Sequence, residues 1–412
     1  MAGDAPAALD GLRVLDLSGA MGNYCGKLFA DMGADVILVE PPGGTELRSE
    51  PPFIDGVAGT ERSLSFLYQN TSKRGIGLDL DTPSGGRILR DLAATADVLI
   101  ETAPPGRMAA RGLGYDDLAR RRPELVYVSI TPFGQTGPYA DLAATDLIGL
   151  AMGGLLHMGG YRGLAPTQAH GDQAYKCAAM YGAVAAMLAV TEAELGGGGQ
   201  HVDVAMQECV TLALENAAQT FDLEGTVRQR PLAEQRFAGY GLFPCSDGYI
   251  YLGSRGIGNS PAWSRSLAWF RDEGMEGVDR LFGPEWSDLD YLKGEEAREV
   301  FGEIFMRWSR RHAKAWLYAE GQKRLIPLAP VSTPADLLAN PQLRARGHFV
   351  PFLHPLVRRA AEMPGAPYVL SATPWAIRRP APTLGEHTAE VLAEIGIAAA
   401  EVTQLRAAGI AA

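Results

Sequence analysis

Apolar and polar positions follow two rhythms over the first 130 residues. Short apolar runs recur at Arg13-Val14-Leu15-Asp16-Leu17, Asp35-Val36-Ile37-Leu38-Val39-Glu40, Ile76 to Leu80, Asp97 to Glu101 and Leu125 to Ile130. Between them lie segments of helical character, Gly22 to Met32 and Thr82 to about Ala94. The second opens on Thr82-Pro83, a helix-capping residue followed by proline at the first helical position. Short apolar strands separated by helices predict an α/β fold, a parallel sheet with helices on both faces.

Further along, Asp172 to Leu195 reads as one long helix, stopped by Gly196 to Gly199, and Gln200 to Val204 as another strand. Between about Arg228 and Leu325 the texture changes. Five of the six tryptophans fall between Gly258 and Leu317, Gly248 to Leu252 reads as a strand, and Glu295 to Ser309 as a helix. This predicts a second, smaller α+β domain. Pro327 to Pro334 reads as a linker back to the first domain, Ser371 to Arg379 as strand-like and His387 to Ile397 as helical. The expected division is a discontinuous large domain, 1–225 and 326–412, and a small domain, 226–325. No internal repeat or low-complexity tract interrupts this pattern.

Composition narrows the possibilities. At 47% hydrophobic and 21% charged residues over 412 positions, the chain is that of a soluble globular protein with a sizeable core. A net charge of −11 argues against an ordinary basic nucleic-acid binder, although an anionic small ligand responds to local charge and not to the sum. The longest apolar stretch, Ala178 to Val190, is shorter than a membrane span, so no membrane partner is expected. Met1 to Leu12 carries neither a basic nor an apolar leader region. Cys25, Cys177, Cys209 and Cys245 form no CxxC pair, which fits idle thiols in a reducing cytoplasm.

Several standard sites are missing. Gly19, Gly22 and Gly26 do not make the dinucleotide fingerprint after the first strand, and there is no phosphate loop and no GxSxG elbow. The histidines form no metal cluster, and His348 and His354 are poorly spaced for one. What remains is Ala169-His170-Gly171-Asp172-Gln173-Ala174, a carboxylate at the start of the long apolar helix. Asp172 has two readings. It is a favoured N-cap. It is also a carboxylate kept ionised by the helix N-terminus and able to attack an activated acyl group, with Gly171 permitting close approach. A second clue is cationic: Asn70-Thr71-Ser72-Lys73-Arg74 before the third strand, and Arg48 after the second, near the carboxyl ends where α/β sheets bind ligands. Solvated surface charge is the plain alternative.

These residues, with others, resemble the class III CoA-transferases, the CaiB–BaiF family. The similarity runs through Gly11 to Leu17, Phe29 to Ile37, Val39 to Gly44, Asn70 to Arg74 with Leu78-Asp79-Leu80, Gly112 to Tyr115, Tyr127 to Ile130 and Gly134 to Tyr139. It continues through Gly171-Asp172, Gln200 to Met206, Arg346-Gly347 and Leu384 to Thr388. Each motif alone is weak; their number and order carry the match. The resemblance implies an interlocked homodimer of ring-like chains, each with a Rossmann-like large domain and a small domain on two linkers.

The resemblance also implies a role for Asp172 as the nucleophile that exchanges acyl groups between CoA and carboxylic acids, through a mixed anhydride and an aspartyl-CoA thioester. It implies CoA contacts from Asn70, Lys73 and Arg74, with Lys73 and Arg74 foremost. Asp146 matches an acidic family position and is a further candidate. Three departures stand out. The family's Glu-Asn-Phe-Arg-Pro-Gly reads Glu101-Thr102-Ala103-Pro104-Pro105-Gly106, so the usual CoA-contacting arginine falls at Pro104, with Arg107 as a substitute. The first turn is Met21-Gly22-Asn23-Tyr24 where many members have Ala-Gly-Pro, and no glycine-rich run lies between Arg236 and Gly248. Where the family's racemases carry a His-Asp dyad this chain has Thr145-Asp146, which favours transfer over racemisation. A CoA-binding subunit that works with a different chain is the other alternative. Met21, Tyr24, Met152, His157 and Tyr240 are candidate pocket residues or plain core.

Overall fold

Six short strands make the sheet that the apolar runs predict: β1 (Arg13–Leu17), β2 (Asp35–Glu40), β3 (Arg74–Gly77), β4 (Val98–Glu101), β5 (Val126–Thr131) and β6 (His201–Ala205). A computed structural model describes residues 6–161, 163–230, 235–254, 261–352, 354–357 and 359–412. The strands lie in the order β3-β2-β1-β4-β5-β6 and every neighbouring pair is parallel. This is the doubly wound order, with its reversal between β1 and β4. Successive residues point to opposite faces, so Val14 joins one core layer and Leu15 the other.

The helices packed with this sheet include α1 (Asn23–Asp31), α2 (Pro83–Ala93), α3 (Asp146–Met152), α4 (Gln173–Glu192), α5 (Met206–Leu212) and α6 (Ala217–Glu224). Thr82 caps α2 as its sequence predicts, its Oγ1 accepting from Gly85 N at 3.1 Å. One core layer packs α1 and α4 on the sheet, and the other packs α2 and the C-terminal segment. In α4, Gly182 fits against Ile130; a Cβ there would lie 2.8 Å from Ile130 Cδ1.

By length and composition Gln173–Gly197 is long and apolar enough to cross a membrane. The uninterrupted run Ala178–Val190 understates it, because the helix extends beyond that run at both ends. Here α4 packs on α1, α5 and β5 inside the fold.

The chain divides into two compact units. The first takes the chain up to Leu156, then Gln168–Val227 and Gly347–Ala412; the second takes His157–Thr167 and Arg228–Arg346. The second unit has an antiparallel sheet of β7 (Gln235–Phe237), β8 (Tyr240–Cys245), β9 (Gly248–Gly253) and β10 (Leu328–Pro330), in the order β10-β9-β8-β7. Its helices include α7 (Ala262–Asp272), α8 (Glu295–Ser309) and α9 (Lys314–Lys323). The tryptophan-rich stretch is its core: Trp269 meets Trp308 edge-on at 5.1 Å, and Phe243, Phe270, Phe301 and Phe305 fill the interior.

Back in the first unit, β11 (Phe349–Pro351) pairs with β12 (Glu362–Pro364), and α10 (Thr388–Glu394) and α11 (Ala399–Ala407) close the chain. Three sequence expectations shift. Pro327 to Pro334, read as a linker, supplies β10 to the sheet of the second unit, which continues to Arg346. The third strand begins at Arg74 and ends at Gly77, after which Leu78 makes a single bridge to Ala411. Ser371 to Arg379 is not a strand. It makes isolated backbone bonds, Ala376 N to Asp31 O and Arg379 O from Ser72 N, and Pro374 and Pro380 supply no N–H for a ladder.

Candidate active site

Asp172 occupies the N-cap position of α4, yet its side chain makes no capping hydrogen bond. The capping is done from another helix. Asp146, the first residue of α3, accepts the Tyr175 N–H at 3.0 Å, an N–H that the α4 N-cap side chain ordinarily satisfies. Gly171, at φ +80°, turns the chain into this position, a conformation that glycine adopts without strain. The local arrangement therefore leaves the Asp172 carboxylate uncommitted at the positive end of a 20-residue helix. Asp146 itself is 7% exposed, and its Oδ2 is buried with no hydrogen-bond partner. Burial raises its pKa above the ordinary aspartate value, against the lowering effect of the backbone N–H bonds.

Two further ionisable groups complete this corner. Glu50 follows the short helical turn Glu46–Ser49, and its pKa is raised by burial and then by the neighbouring charges of Asp172 and Glu46. Lys176 lies one turn into α4, its backbone N–H bonding Asp172 O at 3.0 Å. Burial lowers its pKa, while Asp172, Asp146 and Glu50 act to raise it. Its Nζ is 5.3 Å from the centre of the Tyr24 ring, on the first turn of α1. Sequence reasoning singled out neither Glu50 nor Lys176. For Lys176 a signal existed: it is the lone charge between Asp172 and Glu192 in an otherwise apolar and uncharged helix. For Glu50 there was none, because its approach to Asp172 is a tertiary contact.

A crevice of about 380 Å³ opens at the carboxyl ends of β1 to β4. It is lined by Leu17, Gly19, Glu40, Glu46, Glu101 and Arg107 among others. Glu46 on its wall also acts on the Glu50 carboxyl, and Gly19 of the β1–α1 turn lines it. Glycine makes room here: a Cβ on Gly22 would come within 2.9 Å of both Ser18 and Thr102. The crevice also holds Glu101, whose burial raises its pKa to about 7 despite hydrogen bonds from Ser129 Oγ and Ala103 N. Ser129 Oγ in turn lies 2.9 Å from His201 Nε2.

Most of the cations named from sequence are engaged inside the chain. Lys73 is 0% exposed, its Nζ donating to Asp16 Oδ2 at 2.6 Å, Asn23 O at 2.8 Å and Asn70 Oδ1 at 2.8 Å. Gly26 permits this approach, since a Cβ there would sit 3.0 Å from Lys73 Nζ. Asn70 spends its amide on Phe66 O. Arg48 is held by both oxygens of Glu40 and by Glu61, over the Phe66 ring. Arg74 pairs with Asp35, Glu390 and Glu394. Withdrawing any of these cations leaves a carboxylate unpaired, at a cost that rises with burial. Arg107 differs. Its side chain is 55% exposed, 4.0 Å from Asp81, beside Arg111 on the crevice wall. The crevice wall carries two arginines, Arg107 and Arg111, the latter bonded to Asp81, among the carboxylates Glu40, Glu46, Asp79 and Glu101, while Arg74 lies away from it, at the amino ends of β2 and β3.

Met21, Tyr24 and Met152 belong to the first unit, whereas His157 and Tyr240 belong to the second. Among the described residues no group of three or more His, Cys, Asp or Glu is arranged to hold a metal.

A crevice at the carboxyl ends of a doubly wound sheet and an uncommitted carboxylate at a helix terminus mark an α/β protein of the ligand-binding kind. The profile of CoA-transferase family III matches residues 9–388. The chain belongs to CoA-transferase family III. It is 40% identical over 394 residues to a succinyl-CoA:(R)-benzylsuccinate CoA-transferase subunit, BbsE, of Thauera aromatica, covering 95% of each chain. It is 33% identical to a succinate–glutarate CoA-transferase of Agrobacterium fabrum, covering 94% of this chain and 95% of the relative. The crystal structure of a CAIB/BAIF family protein from Brucella suis superposes with a TM-score of 0.82 at 29% identity, covering 94% of this chain and 99% of that one. The chain is thus a class III CoA-transferase that uses CoA thioesters as co-substrates.

Proposed function

We propose that this chain moves CoA from succinyl-CoA to a second carboxylic acid, with Asp172 as the covalent carrier. The observation that carries the reading is the capping exchange: Asp146 satisfies the α4 terminus, so the Asp172 carboxylate is free to react. The relatives' donors and acceptors support the choice of succinyl-CoA and of a dicarboxylic acceptor.

Asp172 attacks the donor thioester carbonyl; the C–S bond breaks, leaving a succinyl-aspartyl anhydride and a thiolate. Attack of that thiolate on the aspartyl carbonyl gives an aspartyl-CoA thioester and frees succinate. The acceptor carboxylate displaces the thiolate from the aspartyl carbonyl, and thiolate attack on the acceptor-derived carbonyl releases the new acyl-CoA and regenerates Asp172. Each step exchanges acyl bonds of similar reactivity, so a positioned nucleophile suffices. The α4 N-terminus and the backbone N–H groups beside it favour the oxyanions. In this reading Arg107 and Arg111 take the phosphate groups.

The test is mass spectrometry of the Asp172 peptide after incubation with succinyl-CoA, with and without hydroxylamine. A hydroxylamine-sensitive adduct is expected, together with a loss of transfer in Asp172→Asn. Full transfer in that variant would sink the reading. Solvent deuterium entering the α-carbon of the acyl-CoA without any acceptor would instead indicate isomerase chemistry.

We further propose assembly with a second chain of the same kind. Met180, Val184 and Leu188 on α4 and Phe221 and Leu223 on α6 are exposed apolar residues of one unit, the composition of a covered face. Cys25, Cys177, Cys209 and Cys245 are all free thiols, which supports a reducing, cytoplasmic setting.

A further inference from the structure

Lys176 is placed where a cation is least welcome. It sits at the N-terminal end of α4, where the helix dipole repels positive charge, and it is largely buried. Three carboxylates, Asp172, Asp146 and Glu50, act on it, yet none forms an ion pair with its ammonium, and among the described residues it donates no side-chain hydrogen bond. Its near neighbour is the Tyr24 ring. Lys73 and Arg48, by contrast, are tied to carboxylates at 2.6 and 2.7 Å. An ammonium held near a nucleophile without being paired to it has a vacancy for an anion.

We propose that Lys176 positions the carboxylate of the acceptor acid. The inference rests on the aspartyl-carrier reading and adds a specificity-determining residue to it. While Asp172 is free, its charge and the Lys176 ammonium balance across one helical turn. Formation of the aspartyl-CoA thioester converts the Asp172 carboxylate into a neutral acyl group. Lys176 then faces the reacting carbonyl with its closest counter-charge gone, and the acceptor carboxylate replaces it. One acceptor oxygen attacks the aspartyl carbonyl, the C–S bond breaks, and the thiolate leaves with the electron pair. Lys176 keeps its proton throughout. The Tyr24 ring beside Lys176 leaves an apolar wall for the carbon skeleton of the acid.

The experiment separates donor and acceptor half-reactions. With succinyl-CoA alone, Lys176→Met and Lys176→Gln are expected to form the succinyl-aspartyl anhydride at a rate within about threefold of the unaltered protein, because that adduct forms before any carboxylate leaves the aspartyl carbonyl and Asp172 keeps its own helix terminus. With glutarate or benzylsuccinate as acceptor probes, kcat/KM for the acid is expected to fall roughly 10- to 100-fold, the worth of one charge-assisted hydrogen bond. Lys176→Arg should recover part of that loss. An unchanged acceptor kcat/KM in both variants overturns the proposal. So does an adduct rate that falls as far as the acceptor step, since Lys176 then serves only Asp172. Absence of the adduct in the unaltered protein overturns the carrier reading itself, a separate failure.

Discussion

At the scale of single residues, the chain keeps charges for two purposes, and burial distinguishes them. Lys73 is sealed against Asp16, so its removal is a structural event. Lys73→Met should lower unfolding free energy by roughly 3–5 kcal/mol in chemical denaturation, the cost of stranding a buried partner. Asp16→Asn in the same chain should restore much of it, while KM for the CoA donor changes little in the folded fraction. Glu101 is the opposite case, a buried acid without a cation. Its folded pKa of about 7 lies above the ordinary glutamate value of 4.5, so the stability it contributes is present below pH 4.5 and lost as pH rises through 7. The shift corresponds to roughly 3 kcal/mol over that window. Glu101→Gln should flatten the fall of Tm between pH 5 and pH 8; parallel Tm profiles for the two proteins would contradict this. Local chemistry of this kind is partly legible in sequence. Asp172 announced itself by standing at the head of an apolar helix. That Asp146 caps that helix was not legible, because the partners are 29 residues apart in the chain.

Elements are held in register by where side chains are missing. Gly149 of α3 and Gly153, its C-cap, face Met206 and Val210 of α5, and a Cβ on Gly153 would lie 2.5 Å from Val210 Cβ. Val210 is β-branched and cannot swing its Cβ aside, so Gly153→Ala should push α3 outward at a cost of about 1–3 kcal/mol. Asp146 rides on α3, and turnover should fall roughly 10- to 100-fold as the cap loosens and Asp172 shifts. Val210→Ala in the same chain should recover both Tm and turnover; failure to recover either would sever the link between packing and the cap. The strands of the parallel sheet and the Thr82-Pro83 cap were readable because apolar runs and capping chemistry are local. The stretch Ser371 to Arg379 misled because its alternation mimics a strand while its backbone bonds go to separate partners, Asp31 and Ser72. The start of β3 was displaced because Arg74 is fixed by carboxylates on β2 and α10, a requirement invisible in its own neighbourhood.

For the whole molecule, the composition and the fold ask for a second surface. Leu188 is 68% exposed on the same helix that carries Asp172, and Val184 lies one turn before it. Under the proposed assembly the unaltered protein should have the mass of a dimer by light scattering, and Val184→Glu with Leu188→Glu should lower it to that of a monomer with little change in the far-ultraviolet spectrum. A monomeric mass for the unaltered protein, or a dimeric mass for the variant, would contradict a contact through this face. The net charge of −11 is a sum, and the structure shows where the positive charge within it is spent. Of the cations named from sequence, Lys73, Arg74 and Arg48 hold the scaffold and Arg107 stands exposed at the crevice, while Lys176, which sequence did not single out, lies one turn from Asp172. No count of charges distinguishes these roles, since exposure and partners arise only on folding.

The contact between Asp146 and the head of α4 also has an evolutionary consequence. It staples together the two ends of a long excursion, since the chain leaves after α3, contributes His157–Thr167 to the second unit and returns at Gln168. A stapled excursion can lengthen cheaply: doubling a flexible loop costs only about 0.6 kcal/mol in closure entropy. Insertions and deletions between the staple points can therefore accumulate without moving the head of α4. The fold separates an anchored helix terminus, with Asp172 on it, from a stretch of chain free to change in length.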